Sequence, residues 1–375
     1  EEMVVLTVFI VMDKLKGSVK DCTSWHLFKL FVKYIYNFLK QFLGGKMKIL
    51  KIFLASLFIF SFSSSVFAID KNLGDGWCSD VRIHFFAGGA EGDGFAGIVQ
   101  TGAENAIRDT GADAEILYSE WQSDRMIQQL REAIGAGVDG IGMMGHPGDD
   151  AIMPLAKMAS EAGILMMYQN VDVPGVRAAF GGGYVGANLA TQGKELARES
   201  IRRFDLKAGD TAIVMVPIGD YSRAQREDGA RIVFEEHGMN VVVLDGTPEQ
   251  ATDPNLAIPV FSAALAANPE TKIIVHDGGQ KLGNAEAYAK AAGYGAGELL
   301  QVGFDTSPQI MTAFENGYVH LTSDQQPFLQ GYLPVLALCQ MKVLGTGALN
   351  QDTGAGFVHT ENYKSVMELA NAGLR

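Results

Sequence analysis

Short apolar segments alternate with longer amphipathic segments from residue 81 onward. The apolar segments lie roughly 25 to 33 residues apart, a spacing typical of βαβ units, in which a helix connects two parallel strands. Two series of four strands are predicted, at 81–86, 114–118, 140–144 and 164–168, and at 211–216, 240–244, 272–276 and 299–304. The intervening segments predict helices that begin near Phe95, Ser123, Ala151, Ser222, Asn255 and Lys281.

A glycine cluster at residues 181–186 separates the two series. Glycine tolerates backbone conformations that other residues avoid, so this cluster favours a crossing strand or a hinge over a helix. After the second series, the pattern predicts a helix at 307–316, a strand at 318–324 and a further helix at 328–344. The predicted fold is therefore α/β, with two doubly wound parallel-sheet domains.

The first 68 residues differ in composition from the rest of the chain. They contain nine lysines and four acidic residues, whereas the remainder contains 21 basic and 39 acidic residues. Met47 begins a short cationic segment, an apolar run follows at 52–62, and the serines and small residues at 63–68 resemble a cleavage site. These features predict a signal peptide at 47–68 and an exported protein. A transmembrane anchor is the alternative, but the apolar run is too short to span a bilayer.

Residues 1–46 precede this signal peptide, although signal peptides act at an N-terminus. We interpret residues 1–46 as translated upstream sequence or a tag-like extension, because Gly44-Gly45-Lys46 can be encoded by a ribosome-binding site read in frame before Met47. The alternative is an amphipathic N-terminal segment, since residues 28–42 are rich in Phe, Tyr, Leu and Lys.

The overall composition, 47% apolar and 19% charged, indicates a globular chain with a sizeable core. A net charge of -13 without any basic stripe makes nucleic acid an unfavourable partner. After the signal peptide only Cys78 and Cys339 remain. They allow one disulfide in an oxidising compartment, and a buried free thiol at Cys339 is equally consistent with the sequence.

The first predicted strand is followed by a loop with the spacing GxGxxG at Gly92, Gly94 and Gly97. This spacing matches a dinucleotide-binding loop, but an acidic side chain, Asp93, lies where a pyrophosphate would approach. The other interpretation is a loop that presents Asp93 and Phe95 to a cleft. The histidines show no metal-ligand spacing and no nucleophile motif is present, so neither a metal nor a cofactor is expected.

Polar and aromatic side chains cluster at the predicted carboxyl ends of the strands, where α/β proteins bind ligands. Carboxylates and amides accept hydrogen bonds from vicinal hydroxyls, an arginine donates a planar pair, and aromatic rings stack on C–H groups. Trp121 and Tyr221 are equally consistent with core positions, and His146 with a helix cap. The candidate ligand-binding residues are Asp93, Phe95, His146, Asn170, Tyr221, Arg226, Asp277, Asp305 and Gln325.

At these positions the chain resembles the type I periplasmic sugar-binding proteins of ABC transporters, close to the ribose-binding group. Val302-Gly303-Phe304-Asp305 matches the motif that carries the sugar-binding aspartate of this family, and Gln325 follows at the spacing of its glutamine. Arg226 and Gly229 match its RxxG motif. Gly92-Asp93-Gly94-Phe95 replaces its Asn-Pro-Phe-Phe loop, and Asn170-Val171 replaces its Asp-Arg pair. Asp277, or its neighbour His276, stands near the Asn-Asp pair of the family.

The resemblance implies two lobes joined by a three-stranded hinge near residues 184–186, 325–327 and 356–359. Lobe 1 would comprise 69–185 and 326–357, and lobe 2 would comprise 186–325 and 358–375. Asp93, Phe95 and Asn170 would contact the ligand from lobe 1, Arg226, Asp277 and Asp305 from lobe 2, and Gln325 from the hinge.

The resemblance also implies a periplasmic location and a function. The protein would be a monomeric solute-binding protein that delivers its ligand to ABC permease subunits. A chemoreceptor is a further candidate partner. The departures from the ribose-binding motifs indicate another pentose, a hexose or a polyol, and an autoinducer-2-type furanosyl signal is an alternative ligand. From another class, an exported carbohydrate-acting enzyme would require two carboxylates across the cleft, such as Asp93 with Asp305 or Asp277.

Overall fold

The computed structural model describes residues 73–217, 222–354 and 356–375. The predicted signal peptide, the 1–46 extension and Tyr221 lie outside the described residues. In the described part of the chain, none of the helices is both long enough and apolar enough to cross a membrane.

The described residues contain twelve strands that form two six-stranded sheets. The strands are β1 (Arg82–Gly88), β2 (Asp113–Tyr118), β3 (Gly140–Met144), β4 (Leu165–Gln169), β5 (Gly183–Gly186), β6 (Thr211–Pro217), β7 (Asn240–Gly246), β8 (Thr271–Val275), β9 (Leu300–Phe304), β10 (Leu321–Ser323), β11 (Asn350–Asp352) and β12 (Phe357–His359). The first sheet has the order β11-β5-β4-β3-β1-β2, and the second has the order β12-β10-β9-β8-β6-β7. All pairs are parallel except β10 with β12, which is antiparallel.

Helices cover both faces of each sheet, as parallel sheets require. They are α1 (Ala96–Thr110), α2 (Ser123–Ala136), α3 (Gly148–Glu161), α4 (Pro174–Phe180), α5 (Leu189–Phe204), α6 (Gln225–Glu236), α7 (Pro248–Thr252), α8 (Ile258–Ala267), α9 (Gly279–Gly283), α10 (Ala285–Ala291), α11 (Pro308–Glu315), α12 (Pro327–Cys339) and α13 (Lys364–Asn371). A 3₁₀ turn at Pro254–Ala257 and a π-helical turn at Gln340–Leu344 complete the set. The predicted α/β fold with two doubly wound domains is confirmed.

The central strands are buried on both faces. Every residue of β3 is buried, and separate apolar clusters pack on the two sides of each sheet. This explains why the strands appear in the sequence as continuous apolar runs and not as alternating patterns.

The chain passes between the sheets at three segments. Residues 187–188 connect β5 to α5, residues 324–326 connect β10 to α12, and residues 353–354 and 356 lie between β11 and β12. The carboxyl ends of both parallel sheets therefore lie close to these crossings. The lobe boundaries drawn from the sequence stay a prediction.

Glycines allow two pairs of helices to approach closely, one pair on each sheet. A Cβ atom added to Gly102 of α1 would lie 2.0 Å from the carbonyl oxygen of Phe328 in α12. A Cβ atom added to Gly193 of α5 would lie 1.7 Å from the carbonyl oxygen of Arg226 in α6. Neither position has room for a larger side chain without separating the two helix backbones.

Cys78 and Cys339 form a disulfide that joins the segment before β1 to the end of α12, across 261 residues of sequence. The structure therefore decides between the two alternatives that the sequence left open, because Cys339 is not a free thiol. Both cysteines are fully buried in the apolar cluster of the first sheet.

We expect Gly193→Ala to destabilise the protein by about 1 to 3 kcal/mol, since the added methyl group overpacks the contact between α5 and α6. Gly135→Ala is the matched control, because Gly135 also lies in a helix but a Cβ atom there meets nothing within 4 Å. In the control the better helix propensity of alanine should stabilise by about 0.5 to 1 kcal/mol. Urea unfolding measures both effects, and equal signs would contradict the proposed overpacking.

We expect the double variant Cys78→Ala/Cys339→Ala to lose about 2 to 4 kcal/mol of stability, because the disulfide restricts the unfolded chain. Reductant should lower the stability of the wild-type protein and leave the double variant unchanged. Denaturant unfolding with and without reductant is the measurement. The expectation would be contradicted if the wild-type protein had the same free energy of unfolding with the disulfide intact and with the disulfide fully reduced.

Candidate functional site

A cavity of about 70 Å³ lies between the carboxyl ends of the two sheets. Both lobes and one crossing segment contribute to its wall. Seven of the nine sequence-predicted site residues line it: Phe95, His146 and Asn170 from the first lobe, Arg226, Asp277 and Asp305 from the second, and Gln325 from the crossing segment. Tyr221 lies outside the described residues.

Asp93, the remaining predicted residue, does not line the cavity. Its carboxylate accepts hydrogen bonds from the backbone amides of Ala90 (3.1 Å) and Phe95 (3.0 Å), from the amide of Ala96 at the start of α1, and from the indole nitrogen of Trp121 (3.1 Å). Burial raises the pKa of Asp93, and these hydrogen bonds oppose that effect. Asp93 therefore holds Trp121 in place instead of presenting an open carboxylate.

Three rings form an aromatic wall on the first-lobe side. The ring centroids of Phe95 and Trp121 are 5.9 Å apart, and those of Trp121 and His146 are 5.6 Å apart. The sequence left open whether Trp121 lies in the core or at the site, and in the structure it lines the cavity. The ring planes are tilted by 52° between Phe95 and Trp121 and by 49° between Trp121 and His146, so the three rings line the cavity with a faceted, largely apolar surface.

A chain of side-chain amides and a carboxylate connects the two lobes beneath the cavity. Asn170 Nδ2 donates to Gln325 Oε1 (3.2 Å), and Gln325 Nε2 donates to Asp305 Oδ1. Gln330 of α12 donates to the backbone oxygen of Gln325 (2.9 Å) and to Thr353 Oγ1 (3.2 Å) in the third crossing segment. The bridge is buried, so it is shielded from competition by water.

Asn170 and Asp305 both have left-handed backbones, with φ of 61° and 76°. Each directly follows a buried strand, β4 or β9, and such conformations are uncommon outside glycine. The left-handed turn ends each strand and brings the side chain to the cavity. Asp305 Oδ2 also accepts from the amide of Gly279 (3.0 Å), which orients its carboxylate.

A buried cluster of charges forms the second-lobe side. Arg226 Nε lies 3.1 Å from Glu227 Oε1, and the guanidinium donates to the backbone oxygen of Asp277 (2.8 Å). The same guanidinium lies 3.8 Å from the centroid of the Phe304 ring. Arg223 Nη1 lies 3.2 Å from the same oxygen of Glu227. Burial lowers the pKa of Arg226 and raises that of Glu227, and their mutual attraction opposes both shifts.

Asp277 and Lys281 form a second buried pair, with Lys281 Nζ 2.9 Å from Asp277 Oδ2. Burial acts to raise the pKa of Asp277, but Lys281 and Arg223 together lower it below its usual value. A Cβ atom at Gly246 would lie 2.6 Å from Asp277 Oδ2, so the pair needs a glycine at the end of β7.

Sequence reasoning missed several residues that line the cavity: Arg223, Thr247, Pro248, Gln280 and Lys281. For Lys281 a signal was available in the sequence, because it follows Asp277 at the i,i+4 spacing of an ion pair, directly after a strand.

His276, the alternative to Asp277 in the sequence, belongs to the core. Its ring stacks on Tyr288 (centroids 5.6 Å apart) and packs on Phe261 (5.1 Å), while Nε2 is 3.1 Å from Gln301 Oε1. Successive side chains at a strand end point in opposite directions, which is why Asp277 lines the cavity and His276 does not.

The two lobes also meet beside the cavity. A Cβ atom at Gly148, the first residue of α3, would lie 2.8 Å from Ser222 Oγ in the second lobe. Such a short approach between lobes indicates a closed cleft.

Residues 85–345 match the family described as periplasmic binding protein domain, so the chain belongs to this family. Membership implies a periplasmic or extracellular location. The sequence-based identification as a type I periplasmic binding protein is confirmed.

Among characterised relatives, the chain is similar to the xylose/arabinose-binding protein XylF of Sulfolobus acidocaldarius, with 28% identity over 256 residues. The match covers 63% of this chain and 60% of that protein, so the chain spans less than two thirds of the length of this relative.

Solved structures share the fold. A carbohydrate transporter of Acidothermus cellulolyticus in complex with myo-inositol superposes with a TM-score of 0.67 at 20% identity, covering 79% of this chain and 99% of that one. A solute-binding protein of Actinobacillus succinogenes with bound D-allose gives 0.66 at 21% identity, covering 76% and 99%.

We expect the His276 imidazole to stay neutral at pH 5.5, because burial lowers its pKa to about 4. Since the folded pKa lies below the unfolded value, the contribution of this group to stability is complete above about pH 6.5 and declines as the pH falls toward 4. NMR titration of the imidazole resonance, assigned with His276→Gln, measures the pKa. A midpoint above pH 6 would contradict the buried, neutral state.

Proposed function

We propose that the protein is the solute-binding component of an ABC importer and that it binds a small, uncharged sugar or polyol in the cavity between its lobes. The bridge from Asn170 through Gln325 to Asp305 is the observation that carries this proposal. It joins acceptors and donors of both lobes at one side of the cavity, so a ligand that hydrogen-bonds to them bridges the lobes as well.

The chemistry of the wall supports a polyhydroxylated ligand. A hydroxyl group donates one hydrogen bond and accepts others, so it matches a surface on which carboxylates, amides and guanidinium groups alternate. Sugars also carry C–H faces that pack on aromatic rings such as Phe95 and Trp121. The relatives named above are reported with xylose or arabinose, myo-inositol and D-allose, which supports a pentose, a hexose or a polyol as the ligand.

Ligand binding then acts through closure. Because the groups that contact the ligand come from both lobes, the complete set of contacts exists only when the cleft is closed, and the ligand shifts the population toward that state. The three crossing segments absorb the movement while each sheet stays rigid. ABC permease subunits are the partners that recognise the closed shape, a chemoreceptor is a second partner of the same kind, and the protein acts as a monomer.

The predicted signal peptide at 47–68 belongs to this proposal, since a solute receptor of this kind acts outside the cytoplasm. Cleavage after Ala68 gives an exported chain that begins at Ile69, which N-terminal sequencing of the secreted protein tests.

Carbohydrate hydrolysis is not favoured by the structure. The carboxylate pairs considered from the sequence require Asp93, and its two oxygens already accept four hydrogen bonds away from the cavity. Binding without turnover is therefore the proposed activity.

A thermal-shift screen of residues 69–375 tests the proposal, because a ligand that binds only the folded state raises the melting temperature. The panel comprises D-xylose, L-arabinose, D-allose, D-fucose, myo-inositol and an autoinducer-2-type furanose. We expect the melting temperature to rise with ligands of one stereochemical group, and no product to form during incubation. If no sugar or polyol of the panel raised the melting temperature, the proposal would be contradicted.

We expect Asp305→Asn to weaken binding of the sugar found in that screen by at least about tenfold, since the substitution removes an acceptor and adds a donor in a closed cavity. Asparagine tolerates the left-handed backbone of this position, so the protein should still fold. Asp205→Asn is the matched control, because Asp205 is also left-handed (φ 54°) but exposed. Calorimetric titration measures both affinities, and equal affinities would show that Asp305 does not contact the ligand.

A further inference from the structure

Lys281 is unusual among the residues that line the cavity. Its side chain is nearly fully buried, with 3% relative exposure, although lysine is rarely buried without a specific partner. It lies in the short helix α9, directly after the turn that carries Asp277, and its ammonium group contacts one oxygen of that carboxylate. A lysine ammonium has three N–H donors, and the contact with Asp277 uses one of them.

The other oxygen of Asp277, Oδ1, is buried and has no hydrogen-bond partner among the described residues. The same holds for Nε2 of Gln280, the residue before Lys281. An unsatisfied buried carboxylate oxygen is costly, so its presence at a cavity indicates a group that is satisfied when the cavity is filled. An open acceptor and open donors therefore lie within five residues of one another at this wall.

The charges at this wall balance. Three cations, Arg223, Arg226 and Lys281, lie beside three carboxylates, Glu227, Asp277 and Asp305. Lys281 is paired with Asp277, and both arginines contact Glu227. The cluster therefore has no excess positive charge for a carboxylate or phosphate of a ligand, and its free hydrogen-bonding capacity suits an uncharged group.

We infer that Lys281 contacts the ligand directly and that, together with Asp277, it selects ligands with a free hydroxyl group at this point. The hydroxyl donates to Asp277 Oδ1 and accepts from Lys281 Nζ, so a deoxy position or a methyl ether there is rejected. This inference rests on the proposed function and adds to it a residue that determines specificity.

The test uses Lys281→Met, which keeps an unbranched side chain, one atom shorter than that of lysine, and removes its donors. Wild-type and variant proteins are titrated with D-xylose, L-arabinose, D-allose, D-fucose and myo-inositol, and with the monodeoxy derivatives of those that bind. In the wild-type protein, one deoxy position should bind at least about tenfold more weakly than its parent sugar. In the variant, affinity for the parent should fall at least about tenfold, and the discrimination at that position should shrink to less than about threefold.

Two further variants separate specificity from stability. Lys290→Met is the matched control, because it breaks another i,i+4 lysine–carboxylate pair, with Glu286 at 2.6 Å, on the exposed surface. It should bind every sugar as the wild-type protein does. If Lys281→Met does not fold, Asp277→Leu/Lys281→Met replaces the whole buried pair by apolar groups, an exchange that folded proteins often tolerate. This double variant should show the same loss of affinity and of discrimination.

The outcomes distinguish the inference from the proposed function. A wild-type protein that binds none of these sugars overturns the proposed function and the inference with it. If the wild-type protein binds one of them, the result for the folded Lys281→Met variant decides the inference alone. The inference is overturned if this variant binds the parent sugar as tightly as the wild-type protein does, or if it still distinguishes the parent from every deoxy derivative as the wild-type protein does.

Discussion

The hydrogen bonds that join Asn170, Gln325 and Asp305 are the interaction on which the arrangement of the two lobes depends. They connect the ends of β4 and β9, which belong to different sheets, through a glutamine in the segment that joins those sheets. Because the three side chains are buried, breaking one contact leaves polar groups without partners, which costs about 1 to 3 kcal/mol. The geometry of the cleft and the chemistry of its wall are therefore determined by the same groups.

Much of this arrangement could be predicted from the sequence, because it depends on local signals. The apolar run at 140–144 coincides with β3, and polar residues after such runs, including Asn170 and Asp305, reach the cavity. α5 was not predicted, because its buried residues are separated by many charged ones and its position depends on the contact of Gly193 with α6. Lys281 was missed as a site residue for a related reason, since a lysine in a helix is usually exposed and only the tertiary fold shows that this one is buried.

The same limit applies to the first-lobe loop. From its sequence alone, Asp93 is suited to bind a ligand, but its carboxylate is occupied by the start of α1 and by Trp121. The sequence left open whether Trp121 belongs to the core or to the site. In the structure Trp121 lines the cavity, and it is held there by Asp93, the residue that was expected to bind the ligand. Which of two neighbouring polar and aromatic side chains faces a ligand depends on backbone turns such as the left-handed one at Trp121 (φ 60°).

The crossings and the disulfide also determine the order in which the molecule can be assembled. The second sheet is complete except for its edge strand β12 once residue 323 is available, whereas the first sheet lacks α12, β11 and the partner of Cys78 until the chain returns. During vectorial synthesis or export, the segment before β1 therefore waits with an unpaired thiol while a whole lobe forms between it and Cys339. Long-range closure of this kind slows folding, and it makes the first lobe the later of the two to mature even though its sequence comes first.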